Sequence, residues 1–331
     1  MIARRNVWSN PEIQQLLKGF VVSADEVWRL QNGKDPECLL AQKVFEQGHY
    51  AGRTQPTNTR QGTYATAPSG ALLASINTTD AGEMASMLRR ALAKWNAMPT
   101  SERLLRTDPA GQKASIVRAE SRYPQGGLVL RIFSRDLPRA ARPGDWRADA
   151  WNQDYAWFTK DEVRSMLPAD LSAGKKTEVP AALIRRLARF NFVDNVRGQT
   201  GQYREEDIVT ALLETEVVRV AGGVATVRFR GTTKAERVGT WAVAGFRDMN
   251  SPTQQRLSMS LKLYGTGTYS ADQGKFMSFE MIALGTRSGA TQYNGRYDDL
   301  GAAPVGYFLG LAGSSAAEKV APANFGSYGW R

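Results

Sequence analysis

Ala221-Gly222-Gly223-Val224-Ala225-Thr226-Val227-Arg228-Phe229-Arg230 carries the strongest structural signal in the chain. Paired glycines suit a tight hairpin, because the turns that match strand twist need positive φ. Beyond them Ala225, Val227 and Phe229 alternate with Thr226, Arg228 and Arg230, the period-two pattern of a half-buried strand. Thr210 to Val220 is the partner strand before the turn. Downstream, Thr240 to Phe246 predicts a third strand. Leu257 to Tyr269 and Lys275 to Thr286 predict two long ones, joined by Ser270-Ala271-Asp272-Gln273-Gly274. Val305 to Leu311 is expected to close the sheet, and Gly127 to Phe133 adds a strand upstream. Short turns between so many strands predict an antiparallel sheet, a sandwich or a partly closed barrel. Two helices accompany it. Thr159-Lys160-Asp161-Glu162 is a capping box opening a helix that ends near Pro168, and Ala181 to Arg189 turns Leu183, Ile184 and Leu187 inward.

The first hundred residues read differently. Asn10 caps a helix with Pro11 at its first position, and Phe20-Val21-Val22 is expected as a short buried strand. Pro36 to Gln47 is helical, with Leu39, Leu40, Val44 and Phe45 on one side. Gln61 to Ile76 is a hairpin turning at Pro68-Ser69-Gly70. Asp80 opens a helix to about Trp95, with Met84, Met87, Leu88 and Ala91 at helical spacing. The expected division is an α/β domain over 1–98, a linker over 99–112, a β-rich domain over 113–311, and a small-residue linker with an aromatic tail over 312–331. The fold class expected is α+β.

The order helix, strand, helix, hairpin, helix over residues 1–98 resembles the later part of a thioredoxin-like domain of the kind found in exported bacterial proteins. The matching stretches are Ala3 to Val22 and Gln61 to Trp95. The resemblance implies a thioredoxin-like N-terminal fold, and a periplasmic or extracellular setting. A redox Cys-x-x-Cys is missing, since Cys38 is the only cysteine, and no proline immediately precedes the hairpin strand. Dithiol redox chemistry is therefore not expected.

Composition narrows the chemistry. With one cysteine and one histidine, His49, in 331 residues, no internal disulfide and no zinc site built from Cys and His can be assembled. Any histidine-based nucleophilic mechanism would have to use His49. Apolar residues make up 42% and charged ones 23%, a globular balance. The net charge of +11, concentrated after residue 110, favours acidic partners, anionic surfaces or nucleic acid, but no nucleic-acid reader motif accompanies it. No apolar run is long enough for a membrane helix, and no apolar leader follows Met1. No cofactor or metal is called for.

Several side chains stand out. Trp151, Tyr155 and Trp157 interleave with amides and Asp154, as in a segment that lines a planar-ligand pocket or packs as a covering loop. Asp194 has Arg189 five residues before it and Arg197 three after, an arrangement that suits an ionised anchor. Glu280 lies in a strand apolar on both sides, which leaves its direction open. Arg287 and Arg296 flank a polar loop and suit an anion or a partner's carboxylate. Phe325, Tyr328 and Trp330 form either a disordered end or an arm that docks on this subunit or the next.

Three functions follow as expectations. The first is a non-catalytic binding or structural protein, envelope-associated or extracellular, acting through a protein partner or self-assembly. The second is a histidine-independent hydrolase or lyase using Asp154, Asp194 or Glu280 with Arg189, Arg197 or Arg287. The third is nonspecific nucleic-acid binding by the basic domain.

Overall fold

The computed structural model describes residues 7–50, 59–104, 119–139, 144–243, 251–315 and 318–330. The chain divides into two compact units, Met1–Val117 and Arg118–Arg331. Most of the expected linker, from residue 105 on, lies outside the described residues.

The first unit contains α1 (Pro11–Leu17), α2 (Val27–Asn32), α3 (Pro36–Gln47), β1 (Thr63–Thr66), β2 (Leu72–Ile76), α4 (Ala81–Ala97) and the single turn α5 (Thr100–Arg103). The Asn10 side chain accepts from the backbone of Glu12 and Ile13, and Asp80 caps α4 through Glu83 N, so both helices start where capping chemistry places them. Met84, Met87, Leu88 and Ala91 of α4 pack with Ile13, Ala65 and Leu73 into one core. Two expectations fail here. Phe20–Val22 is not a strand: Val21 is fully exposed and Val22 is 63% exposed, because no neighbouring strand takes up their backbone groups. Leu39 and Leu40 are exposed as well; α3 instead turns Cys38, Val44 and Phe45 inward, and Gln42 ties it to the carbonyls of Leu30 and Gly33. Among the described residues of this unit the only strands are β1 and β2, paired antiparallel.

The second unit is built on one antiparallel sheet. Its elements are β3 (Leu128–Asp136), β4 (Trp151–Phe158), α6 (Lys160–Ser165), β5 (Lys176–Glu178), α7 (Ala181–Phe190), β6 (Ile208–Ala221), β7 (Val224–Trp241), β8 (Thr253–Ser270), β9 (Lys275–Ser288) and β10 (Ala303–Leu311). The spatial order is β4-β3-β10-β9-β8-β7-β6-β5. One face is dry: Leu130, Leu257, Leu261, Phe279 and Leu309 pack beneath Val163, Leu183, Ile184 and Leu187 of the two helices. Each of these apolar side chains contributes about 2 kcal/mol by leaving water.

The sheet does not close, since β4 and β5 are its edges. Helix α7 reaches the β4 edge and, at the other side of the sheet, the start of β6, which β5 does not cover. At the β4 edge Arg186 donates to the Trp157 carbonyl at 3.0 Å, and Asn191, just past the helix, donates to the Tyr155 carbonyl at 2.9 Å. At the other side Arg185 donates to the Ile208 carbonyl of β6 at 3.4 Å. Carbonyls that an edge strand would leave open are thus taken by side chains.

Three strand expectations change. The segment beginning at Thr240 is no separate strand: β7 continues unbroken from Val224 to Trp241, and residues 244–246 lie outside the described residues. Residues Val305–Leu311 do not close the sheet, because β10 sits inside it between β3 and β9. Trp151–Phe158 is not a loop but an edge strand, its aromatic residues alternating with Asn152, Asp154 and Ala156.

Candidate functional site

Chain positions 136 to 299 converge on one buried ionic cluster. Arg296 grips two carboxylates: its Nε and Nη2 each lie 2.8 Å from the oxygens of Asp194, and its Nη1 and Nη2 each lie 2.7 Å from those of Asp136. Arg197 meets Asp136 at 2.7 Å and Asp299 at 2.9 Å. Arg287 donates to the Asp299 carbonyl at 2.5 Å and to its carboxylate, which Arg139 also reaches at 2.5 Å. The side chains of Arg197, Arg287 and Arg296 are at most 1% exposed.

Such burial is tolerable only because the charges pair. Burial by itself would raise the Asp299 carboxyl; the Arg139 hydrogen bond and the Arg287 charge outweigh it and hold it at about 2. Asp136 is likewise held below the ordinary carboxylate range, against burial, by Arg296, Arg197 and Arg287. Burial, and then the Arg296 charge, push the Arg287 guanidinium below its ordinary value. Ionised carboxylates locked by arginines are anchors, not proton carriers at neutral pH.

The partnerships differ from those that sequence proximity suggests. Neither flanking arginine holds the Asp194 carboxylate. Arg189 pairs with Glu205 at 2.8 Å, while Arg197 serves Asp136 and Asp299. Arg287 and Arg296 are not open for a partner's carboxylate, because internal aspartates occupy them. Sequence spacing does not identify Asp136, Arg139 and Asp299 as members of this cluster. The only signal was the density of opposite charges in Arg135-Asp136 and Arg296 to Asp299.

The cluster positions two loops, 191–201 and 289–300, whose far ends build a cleft of about 380 Å³ lined by Trp241, Tyr293, Gln199, Gln292, Arg204 and Arg237 among others. Gln199 donates to the Tyr293 carbonyl at 2.9 Å, Thr291 Oγ1 donates to the Gln199 carbonyl at 3.1 Å, and Trp241 Nε1 donates to the Ala290 carbonyl at 2.7 Å. Arg237 is held by Asp207 at 2.8 Å. The cleft is thus braced before any ligand arrives. Among the described residues none of its lining is a carboxylate, and none of the acid–base candidates lies in it.

The remaining candidates fall in two other places. Trp157 and Tyr155 are buried under the aromatic tail: Phe325 meets Trp157 edge-on at 5.2 Å, Trp330 stands 6.4 Å from it, and Tyr328 stacks on Phe190 at 5.5 Å. Asp154 accepts from the backbone of Ala323 and from Asn191, both at 2.9 Å, so it fastens this tail rather than facing a substrate. The tail is therefore ordered and docks on its own subunit. Trp151 lies outside this group, 6.0 Å from Phe133.

Glu280 points outward, onto the sheet face opposite the helices. That face carries a row crossing all eight strands by direct register: Gln153, Phe133, Phe308, Ile282, Tyr264, Arg230, Glu214 and Glu178. Phe308, Ile282 and Tyr264 are 39%, 41% and 47% exposed, and Leu284 in the next row is 38% exposed. Among the described residues no group of three or more His, Cys, Asp and Glu side chains is arranged to hold a metal ion, and no helix is long and apolar enough to cross a membrane. Comparison with protein-family models, curated proteins and solved structures returns no match.

Proposed function

We propose that this chain is a non-catalytic structural protein that assembles with further copies of itself through the part of its sheet that neither the helices nor the aromatic tail covers. One observation carries the reading: Phe133, Phe308, Ile282 and Tyr264 form an apolar row over four neighbouring strands on the side that no helix covers. A solvated antiparallel face ordinarily presents polar side chains, and a contiguous apolar patch marks a contact surface. Charges of both signs flank the row: Arg230 and Glu214 continue it, and Lys262 and Glu280 lie beside it. A two-fold contact needs a surface complementary to itself, and a mixed-charge border around an apolar centre meets that need.

The carboxylate-and-arginine enzyme has less support, because Asp154 and Asp194 are held in structural contacts and Glu280 stands outside the cleft. Nucleic-acid binding rests on net charge alone, and many of the arginines are spent on internal acids. For the first unit, a thioredoxin-like module without its redox pair stays our reading, supported by α4 packed on the β1–β2 hairpin.

Native mass spectrometry and sedimentation of the full chain at about 50 μM test the assembly, a concentration well above a micromolar Kd. We expect dimers or larger species, and monomers for a Tyr264→Lys, Ile282→Lys double variant whose far-ultraviolet circular dichroism is unchanged. A monomeric wild-type chain overturns the proposal, as does a double variant that assembles as before.

A further inference from the structure

We propose that the cleft beside Trp241 binds an extended, uncharged peptide segment of a partner protein, which adds as a strand to the free edge of β7. Strand β6 stops pairing with β7 at Ile208 and Ala235, yet β7 runs on to Trp241 with β8 on its other side, as far as the pair Trp241 and Thr253. The last backbone contact on the β6 side is the Glu236 N–H, which donates to the Asp207 carbonyl at 2.8 Å. Beyond it, β7 is paired on one side only.

The direction of the backbone groups follows from register. Along an antiparallel strand, successive residues turn their N–H and C=O to opposite neighbours. Glu236 turns them to the β6 side, so Val238 and Thr240 do the same, and both residues line the cleft. Among the described residues no hydrogen bond reaches the main-chain N–H or C=O of either. The vacant side thus offers a donor and an acceptor at each of two positions, spaced by about 7 Å. Another extended main chain has the same repeat, and open sheet edges take up peptides in this way.

The surroundings set what the peptide carries. Directly opposed residues share a face of the sheet, so the peptide residue opposite Gly239 turns its side chain to the face of Arg237 and Trp241. Gly239 leaves that position without a side chain of its own. The Trp241 ring leans over it, since a Cβ added at Gly239 would lie 3.1 Å from the indole, and the ring is fixed by its Nε1 bond to the Ala290 carbonyl. Leu257 lines the same cleft. An aliphatic side chain suits these apolar walls. No charge is called for, because Arg237 is paired with Asp207 at 2.8 Å and Arg204 with Glu206 at 3.4 Å.

Amide chemical-shift mapping of the full, isotope-labelled chain reads the binding, with a capped pentapeptide of threonine, valine, leucine, valine and threonine as probe. Shifts are expected at Val238 to Trp241 and at the Trp241 indole N–H, saturating with a Kd of about 1 mM or below. With leucine opposite Gly239, the two valine nitrogens face β7 and the leucine nitrogen faces away. Methylating both valine nitrogens is therefore expected to weaken binding at least about tenfold, and methylating the leucine nitrogen less than about threefold. Thr240→Pro removes a donor from the vacant side and none from the pairing with β8, and edge positions admit proline. It is expected to weaken binding at least about tenfold with unchanged far-ultraviolet circular dichroism. No shift with the probe, shifts confined to β4 or to the row of Tyr264 and Ile282, or equal affinity for the two methylated peptides each overturns the proposal.

Discussion

Arg296 and Asp194, 102 positions apart, meet side by side, Nε on Oδ2 and Nη2 on Oδ1, each at 2.8 Å. The pair joins the loop after α7 to the loop before β10, and through Asp136 it also joins the end of β3. It is the point at which three distant parts of the second unit are fixed to one another.

Breaking that pair strands a buried charge. Asp194→Asn is expected to cost about 3–5 kcal/mol in denaturant unfolding. Arg189→Ala, which removes a partly exposed bond to Glu205, is expected to cost about 1 kcal/mol or less. Equal losses for the two variants would refute this account of the cluster.

Acid dissolves the same cluster. The Asp299 carboxyl, at about 2 in the fold, and Asp136 both sit below their unfolded values, so their stabilisation is complete above the unfolded carboxylate pKa. It is lost as pH falls from about 5 through 2, with Asp299 contributing about 1–2 kcal/mol. Urea midpoints of wild type and Asp299→Asn should converge over that range and differ at pH 7.

The aromatic tail is an integral part of the second unit. Tyr328→Ala is expected to cost about 2–3 kcal/mol and to let water reach Trp157, which is fully buried beneath it. The readouts are the urea midpoint and a red shift of tryptophan emission. An unshifted emission maximum would show that the tail does not cover Trp157.

Gly289 holds the turn into the loop that carries Gln292, Tyr293 and Arg296. Its φ is +87°, and an added Cβ would lie 2.1 Å from the Arg256 carbonyl oxygen. Gly289→Ala is therefore expected to cost at least about 2 kcal/mol and to disturb the Trp241 wall of the cleft. Near-ultraviolet circular dichroism checks the second effect.

What could be read from sequence was local. The Gly222-Gly223 turn, the Leu257 to Leu263 alternation and the Thr159 to Glu162 capping box each have a short-range cause, and each appears in place. The helix pair and the antiparallel sheet follow from them. What could not be read depended on distant partners. Proximity in the chain assigns Asp194 to Arg189 and Arg197, yet strand order brings Arg296 to it. Whether Glu280 faced in or out was undetermined from its neighbours, since Phe279, Met281 and Ile282 are all apolar; only the helices covering one face decide it. The position of β10 inside the sheet has no local signature at all.

That position has a consequence for synthesis. Strand β3 leaves the ribosome early, and β4 covers one of its sides soon afterwards, but its other side waits for β10. Until then the nascent chain presents an unpaired edge beside Leu130 and Ile132, the kind of surface that chaperones hold and that aggregates recruit. The unit therefore completes its sheet only late in translation, and the long separation in sequence between β3 and β10 makes that last pairing slow.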